Sequence, residues 1–318
     1  MKELKILAVV VFFSLVTYWG VEPYAHSQMH KHVEGHDFAY ADLKASGKKG
    51  NAEKGKELVM GAGACLGCHS LNAENMPAPM DAVSAAAAYG VNPPDLSVVG
   101  ALLDEKFLAD LIANPAHALK VEHKFDVNAG KMHPMVAFFG AGGDKDQEIA
   151  DMVAYLKEIG EKQKVTPKVA YESACGRCHA MRYAKWTQIG TVPKTKPNIT
   201  THQDIEKLKF EQQVATYQES LAKYMGKLPP DLSIMIRARS KHFMETFVED
   251  PQSQLAGTAM PRVGLTKEGY EKVEAYLEEI GDPSKPHREA VGPWVLAFFV
   301  IFTILAYLWK QAHWRDLH

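Results

Sequence analysis

The stretch CGRCHAMRYAKW, Cys175 to Trp186, decides how the chain is read. Its first five residues have a second copy, CLGCH at 65–69. The two copies use all four cysteines of the 318-residue chain, Cys65, Cys68, Cys175 and Cys178. None is left for a disulfide elsewhere. Two thiols three positions apart, followed at once by histidine, form the attachment pattern of c-type haem. The thiols bond the vinyl-derived carbons of the porphyrin, and the histidine, His69 or His179, coordinates iron from one face. A structural zinc site needs four converging ligands, usually from two neighbouring knuckles. Here the knuckles lie 110 positions apart, each inside its own repeat. A thioredoxin-type pair belongs in a strand-to-helix setting that neither copy has. The pattern predicts two covalently bound haem c groups.

The repeat extends beyond the motif. NPPDLSVVGALLDEKFLADLIANP (92–115) aligns without gaps to LPPDLSIMIRARSKHFMETFVEDP (228–251). AYLKEIG (154–160) matches AYLEEIG (275–281). Each unit reads as attachment motif, PPDLS, helix, ligand loop and last helix. In the first last helix Ile149, Met152, Val153, Leu156 and Ile159 recur at helical spacing. Asp144 with Gln147 suits a capping box, and Gly160 a stop. In the second, Tyr270, Val273, Tyr276, Leu277 and Ile280 form the stripe, and Gly281 with Pro283 ends it. Both stripes read as core packing. The second unit has 26 extra residues between motif and PPDLS. Ile205, Leu208, Val214, Tyr217, Leu221 and Tyr224 predict an added helix over 204–225 with a solvated charged face. KVTPK (164–168) reads as a linker. Residues 22–50 read as a polar stalk with His26, His30, His32 and His36, a solvated linker rather than a metal site.

The expected fold is mainly α: two tandem small cytochrome c-type haem domains between two transmembrane helices. The expected divisions are 1–24 (membrane anchor or signal), 25–163 (first haem domain), 164–286 (second) and 287–318 (transmembrane helix and tail). ILAVVVFFSLVTYWGV (6–21) is apolar and its flank makes a poor cleavage site, which favours an uncleaved anchor. VGPWVLAFFVIFTILAYLW (291–309) reaches the span of a bilayer, with Trp294, Tyr307 and Trp309 near its ends. Lys2, Lys5, Lys310 and Arg315 put both termini on the cytoplasmic side. Residues 25–290 then face the periplasm of a bacterial inner membrane, where covalent haem is attached. The charge is nearly balanced, 36 basic against 38 acidic residues. It gives no reason to expect nucleic acid.

His69 and His179 are the first protein ligands of the two irons. In the second unit LAGTAMPRVGL (255–265) offers Met260 as the sixth ligand, a soft thioether that raises the potential. In the first unit AGKMHPMVAFF (129–139) leaves three candidates. A gapless overlay puts His133 opposite Met260. The spacing MVAF favours Met135, and Met132 is the remaining donor. Ligation by His133 would lower that potential.

The residues after the second motif narrow the reading. CGRCHAMRYAKWTQIG (175–190) resembles the haem-binding segment of cytochrome c1, where Met-Arg-Tyr follows the motif. GKLPPDLSIMIRAR (226–239) and AGTAMPRVGL (256–265) resemble that family's next two segments, and a C-terminal membrane helix follows. The resemblance covers about 170–318. It implies the cytochrome c1 subunit of a cytochrome bc1 complex, with cytochrome b and a Rieske iron–sulfur protein as partners. It also implies that Arg239, with Arg237 nearby, binds a haem propionate by a charge-assisted pair. The extra N-terminal unit departs from the one-haem pattern. The layout resembles the dihaem cytochrome c1 of Campylobacter- and Helicobacter-like bacteria. The implied role is electron transfer from the Rieske protein to a soluble cytochrome c or a terminal oxidase. Two other readings stay open, a freestanding membrane-anchored dihaem cytochrome and a dihaem peroxidase. No paired carboxylates, nucleophile triad or phosphate loop stands out, so no side-chain catalysis is expected.

Overall fold

The computed structural model describes residues 2–29, 38, 40–44, 46–125, 130–194 and 202–315. Helices dominate. The one sheet among the described residues is a hairpin pairing Trp186–Thr187 with Gly190–Thr191. An N-terminal helix α1 (Lys2–Val16) runs through a π-helical turn into α2 (Glu22–Met29). The first unit holds α3 (Ala52–Met60), α4 (Ala82–Tyr89), α5 (Val99–Leu102), α6 (Glu105–Ala113), α7 (Pro115–Ala118) and α8 (Lys145–Glu161). The second holds α9 (Pro167–Ala174), α10 (His202–Met225), α11 (Met235–Ala238), α12 (Lys241–Glu249), α13 (Pro251–Gln254) and α14 (Lys267–Gly281). A last helix α15 spans Lys285–Trp314.

The repeat in sequence is a repeat in structure, and the caps show why. Asn51 and Thr166 cap α3 and α9, Asp104 and Ser240 cap α6 and α12, and Asp144 and Thr266 cap α8 and α14. Each side chain accepts from amides that the first helical turn leaves without partners. Pro115 and Pro251 open α7 and α13, where a missing N–H costs nothing. Thr166 and Pro167, inside the expected linker, are the cap and first residue of α9.

The predicted stripes are buried, apart from Ile280 at the end of the second, which is half-buried. Ile149, Met152, Val153, Leu156 and Ile159 form the core of the first unit with Val59, Leu71 and Leu108. Tyr270, Val273, Tyr276 and Leu277 join Ala170, Tyr171 and Met181 in the second. Two details differ from expectation. Gln147 lies at the third position of α8, but its side chain bonds Lys49 O (2.9 Å) and Asp151 (2.8 Å) rather than closing a capping box. Gly160 does not stop α8, which runs to Glu161. Its role is close approach: a Cβ there would stand 2.6 Å from Ala101 N of α5.

Part of the expected polar stalk is core. Phe38, Tyr40 and Leu43 are buried where the two units meet. Tyr40 packs its ring on Phe107 and donates its hydroxyl to Leu265 O at 2.6 Å. Phe38 packs on Tyr270. His26 lies on α2, whereas His30, His32 and His36 fall outside the described residues.

The loop after Met260 is laid along the first unit. Arg262 N donates to Leu119 O (3.0 Å), Asp104 N to Gly264 O (2.8 Å) and Thr266 N to Leu102 O (2.8 Å). Gly264 has φ +77°, and a Cβ there would lie 2.0 Å from Phe107 Cδ1. Gly264→Ala combines a disfavoured backbone conformation with overpacking. We expect a loss of about 2–3 kcal/mol in chemical denaturation, from overpacking of this kind.

The added helix is present as α10. Tyr217, Leu221 and Met225 of its C-terminal half are buried against Ala86 of α4, so it ties the units together. Ile205 and Leu208 of its N-terminal half are exposed. Its charged face carries the pairs Lys207–Glu211 and Lys223–Glu219.

Among the described residues two helices are long and apolar enough to cross a membrane, Lys2–Gln28 (mean hydropathy 2.0) and Lys285–Trp314 (2.2), with neither buried in the protein. Lys310 of α15 pairs with Glu3 of α1. The start of the first helix and the end of the last therefore lie side by side.

Candidate functional site

Each Cys-x-x-Cys-His forms one tight turn. His69 N donates to Cys65 O (3.0 Å) and His179 N to Cys175 O (2.9 Å). Both thiols and the imidazole of each motif therefore project from a single turn. Burial pushes the Cys65 and Cys178 thiols above their ordinary range and Cys175 up to about 12. Among the described residues no three of His, Cys, Asp and Glu converge on a common point.

The repeated PPDLS is a strap for the histidine. His69 Nδ1 lies 2.8 Å from Pro94 O, and His179 Nδ1 lies 2.7 Å from Pro230 O. A carbonyl only accepts, so Nδ1 carries the proton and Nε2 is left with its lone pair. The rest of the strap sews the loop after each histidine. Leu96 N donates to Ser70 O (2.9 Å), and Leu232 N to Ala180 O (3.0 Å). Asp95 accepts from Asn72 N (3.3 Å), and Asp231 from Arg182 N (2.9 Å). Ser97 Oγ accepts from Ala73 N (2.9 Å), and Ser233 Oγ from Tyr183 N (3.1 Å). From Pro94 to Ser97, and from Pro230 to Ser233, the strap makes these contacts through its backbone or a short polar side chain. Sequence showed the repeat but not this role.

Burial holds both imidazoles below the ordinary histidine pKa, against the opposing pull of the proline carbonyls. They are neutral at physiological pH, the form that binds a metal. The donor set fits a c-type haem: two thiols and a neutral imidazole on one turn, with the ring tautomer fixed from behind. The second turn is braced further. Tyr171 donates its hydroxyl to His179 O (3.2 Å), Trp186 Nε1 to Gly176 O (3.1 Å) and Gln188 Nε2 to Cys178 O (3.4 Å).

The sequence-predicted sixth ligands are placed unequally. Met260 is half-buried and packs on the apolar cluster that contains Cys175. His133 has both ring nitrogens engaged. Nδ1 accepts from Met135 N (3.1 Å), and Nε2 lies 3.3 Å from the Tyr224 hydroxyl. Met132 is 57% exposed, whereas Met135 is half-buried. Arg239 is exposed at the end of α11, its guanidinium 5.3 Å from the Phe243 ring. Arg237 lies 3.7 Å from Asp282.

Comparison with known proteins bears on these sites. Residues 52–160 match the Cytochrome c family. The chain is similar to the "Ammonia monooxygenase gamma subunit" of Nitrosomonas europaea, at 29% identity over 30% of this chain and 57% of that one. It is also similar to "Cytochrome c1" of Allochromatium vinosum, at 22% identity over 33% of this chain and 62% of that one. It thus spans about three fifths of the length of these curated relatives. A solved structure, "Hyperthermophilic respiratory Complex III", aligns at TM-score 0.35 and 24% identity, over 48% of this chain and 75% of that one. The family match covers the first unit, the one without the Met-Arg-Tyr continuation, and the family implies covalently bound haem c. Residues 52–160 are a cytochrome c domain.

Proposed function

We propose that the chain is a dihaem c-type cytochrome, the electron-transfer subunit of a quinol–cytochrome c oxidoreductase of bc1 type. The duplicated strap carries the two-site reading: the same hydrogen bonds surround His69 and His179. Cys65, Cys68 and His69 would hold one haem c, and Cys175, Cys178 and His179 the other. Met135 and Met260 are their sixth ligands in this reading. It is favoured for Met135 by the engaged ring of His133 and the exposure of Met132. Bound there, each haem supplies a reversible one-electron iron couple whose potential a thioether ligand raises. The chain's own part is placement and tuning. The straps fix the imidazole tautomer, and the apolar clusters around Cys65 and Cys175 keep water from the attachment turns.

The proposed divisions follow the repeat, 25–163 and 164–286 between membrane segments 1–24 and 287–318. The Glu3–Lys310 pair supports both termini on one face of the membrane. Lys2, Lys5, Lys310 and Arg315 favour the cytoplasm for that face, and thus the periplasm of a bacterial inner membrane for the haem domains. The partners in this reading are cytochrome b and a Rieske iron–sulfur subunit, with a soluble cytochrome c or terminal oxidase as acceptor. The resemblance of 175–190 and 226–239 to cytochrome c1 supports them, as does similarity to the Allochromatium vinosum protein. Purification of the tagged full chain from membranes in mild detergent tests the assignment. Cytochrome b and a Rieske subunit are expected in stoichiometric amounts. Recovery of the chain without either contradicts the complex and leaves a freestanding cytochrome.

A further inference from the structure

The two attachment motifs are joined by one side chain. Arg177 fills the position before Cys178, which Gly67 fills in the first motif. Its guanidinium leaves its own turn. Nη1 donates to Asn92 O at 2.9 Å, and Nε to Ser173 O at 3.3 Å. Asn92 immediately precedes the first strap, whose Pro94 carbonyl holds His69. Tyr217 of α10 closes a triangle, donating its hydroxyl to Arg177 O (2.8 Å) and accepting from Asn92 N (3.2 Å). Both backbone groups of Asn92 are thus used across the boundary between units. Covalent and hydrogen bonds run unbroken from His69 through Pro94 and Asn92 to Arg177, and on into Cys178 and His179. The triangle is shielded: Tyr217 is fully buried with Leu221 and Ala86, beside Val91 and Cys178.

The charge of Arg177 is held at the same boundary: Asn92, whose carbonyl takes Nη1, lies two residues before the Pro94 that holds His69. A fixed cation in a poorly screened setting penalises the more positive oxidation state of a nearby iron. Gly67 offers no counterpart facing the second site.

We propose that Arg177 is a positioning residue between the two haem sites. It clasps the first unit's histidine strap to the second attachment loop, and its charge favours the reduced form at the first site. Two otherwise matching sites are thereby given different potentials. The inference rests on the two-haem reading above.

The test is potentiometric titration of the purified full chain in detergent, after its covalent haem has been counted. Wild type, Arg177→Gln and Arg177→Lys are compared, and the first-site wave is identified as the one lost in a Cys65→Ala, Cys68→Ala chain. In Arg177→Gln the ferric-to-ferrous ratio of the first site at a fixed potential is expected to rise about tenfold, a 59 mV fall for one electron. The second wave moves less. Arg177→Lys keeps the charge, so its first-site ratio stays within about threefold of wild type on the same scale. Two haems with unmoved waves in Arg177→Gln overturn the proposal and leave the two-haem function standing. So does Arg177→Lys shifting as far as Arg177→Gln. Should Arg177→Gln not hold both haems, Arg177→Lys decides alone: a retained gap between the waves supports the proposal, and a collapsed gap overturns it. Fewer than two haems in wild type defeats the two-haem reading and the inference with it.

Discussion

Replacing Cys65 and Cys68 by alanine is expected to halve the covalent haem of the chain and to leave the second site spectrally intact. Cys175→Ala with Cys178→Ala should do the converse. The basis is the independence of the two turns. Each motif closes on its own backbone, His69 N on Cys65 O and His179 N on Cys175 O, and each histidine has its own proline carbonyl. Neither turn borrows a thiol or an imidazole from the other. Haem staining of denatured protein and pyridine haemochrome quantitation read the result. Complete loss from either double variant would mean that the two attachments depend on each other. The second pair carries the larger folding risk, because Cys175 is buried in the core shared with Tyr171, Val273 and Leu277. Alanine is therefore the better replacement there, since a serine hydroxyl would be buried without a partner.

Asp42→Ala is expected to be the most destabilising single change on the surface of the haem-bearing region. Arg262 is one of the largest fully buried side chains, with 2% of its side chain exposed. Its Nε donates to Ala118 O at 2.8 Å, and Nη1 donates to both oxygens of Asp42 at 2.8 and 2.9 Å. Its guanidinium also lies 5.5 Å from the Tyr40 ring. Removing the carboxylate leaves a buried guanidinium with no counter-charge, a change that costs about 3–5 kcal/mol. The segment holding Phe38, Tyr40 and Leu43 would lose its anchor at the same time. Chemical denaturation of the two proteins measures the difference.

The same pair sets a pH dependence. Partial burial pushes the Asp42 pKa up, but the hydrogen bond and charge of Arg262, aided by Lys120, outweigh it and hold the group below its usual 3.8. The folded protein thus binds this proton less tightly than the unfolded chain. The stabilisation is complete above the ordinary carboxylate range and is lost as pH falls through the depressed value. The gap between wild type and Asp42→Ala should accordingly narrow below about pH 4, where the unfolded carboxyl protonates. A gap that widens on acidification would contradict the ion pair.

What could be read from sequence was whatever is local. Cys-x-x-Cys-His is one turn, so its chemistry is written in five residues. The stripes Ile149–Ile159 and Tyr270–Ile280 follow helical spacing, and the two membrane helices follow length and apolarity. The PPDLS repeat was visible, yet its use was not. Its hydrogen bonds reach back 25 residues to His69 and 51 to His179, and no local pattern encodes such a partner. Phe38, Tyr40 and Leu43 were hidden by the histidines and charges around them, and three apolar residues without helical period give no signal of burial. Nothing in the sequence marked Arg177, because its partner Asn92 lies 85 positions away. His133 was placed opposite Met260 by a gapless overlay. In the fold its ring lies beside Tyr224 on α10, the helix that only the second unit has.

The number of covalent haems on the chain can be measured directly. Intact-mass spectrometry of the full chain, isolated from cells that attach c-type haem, gives it in one step. The mass is predicted to exceed that of the polypeptide by two haem groups, both retained after denaturation. A mass gain of one group, or none, would contradict the account.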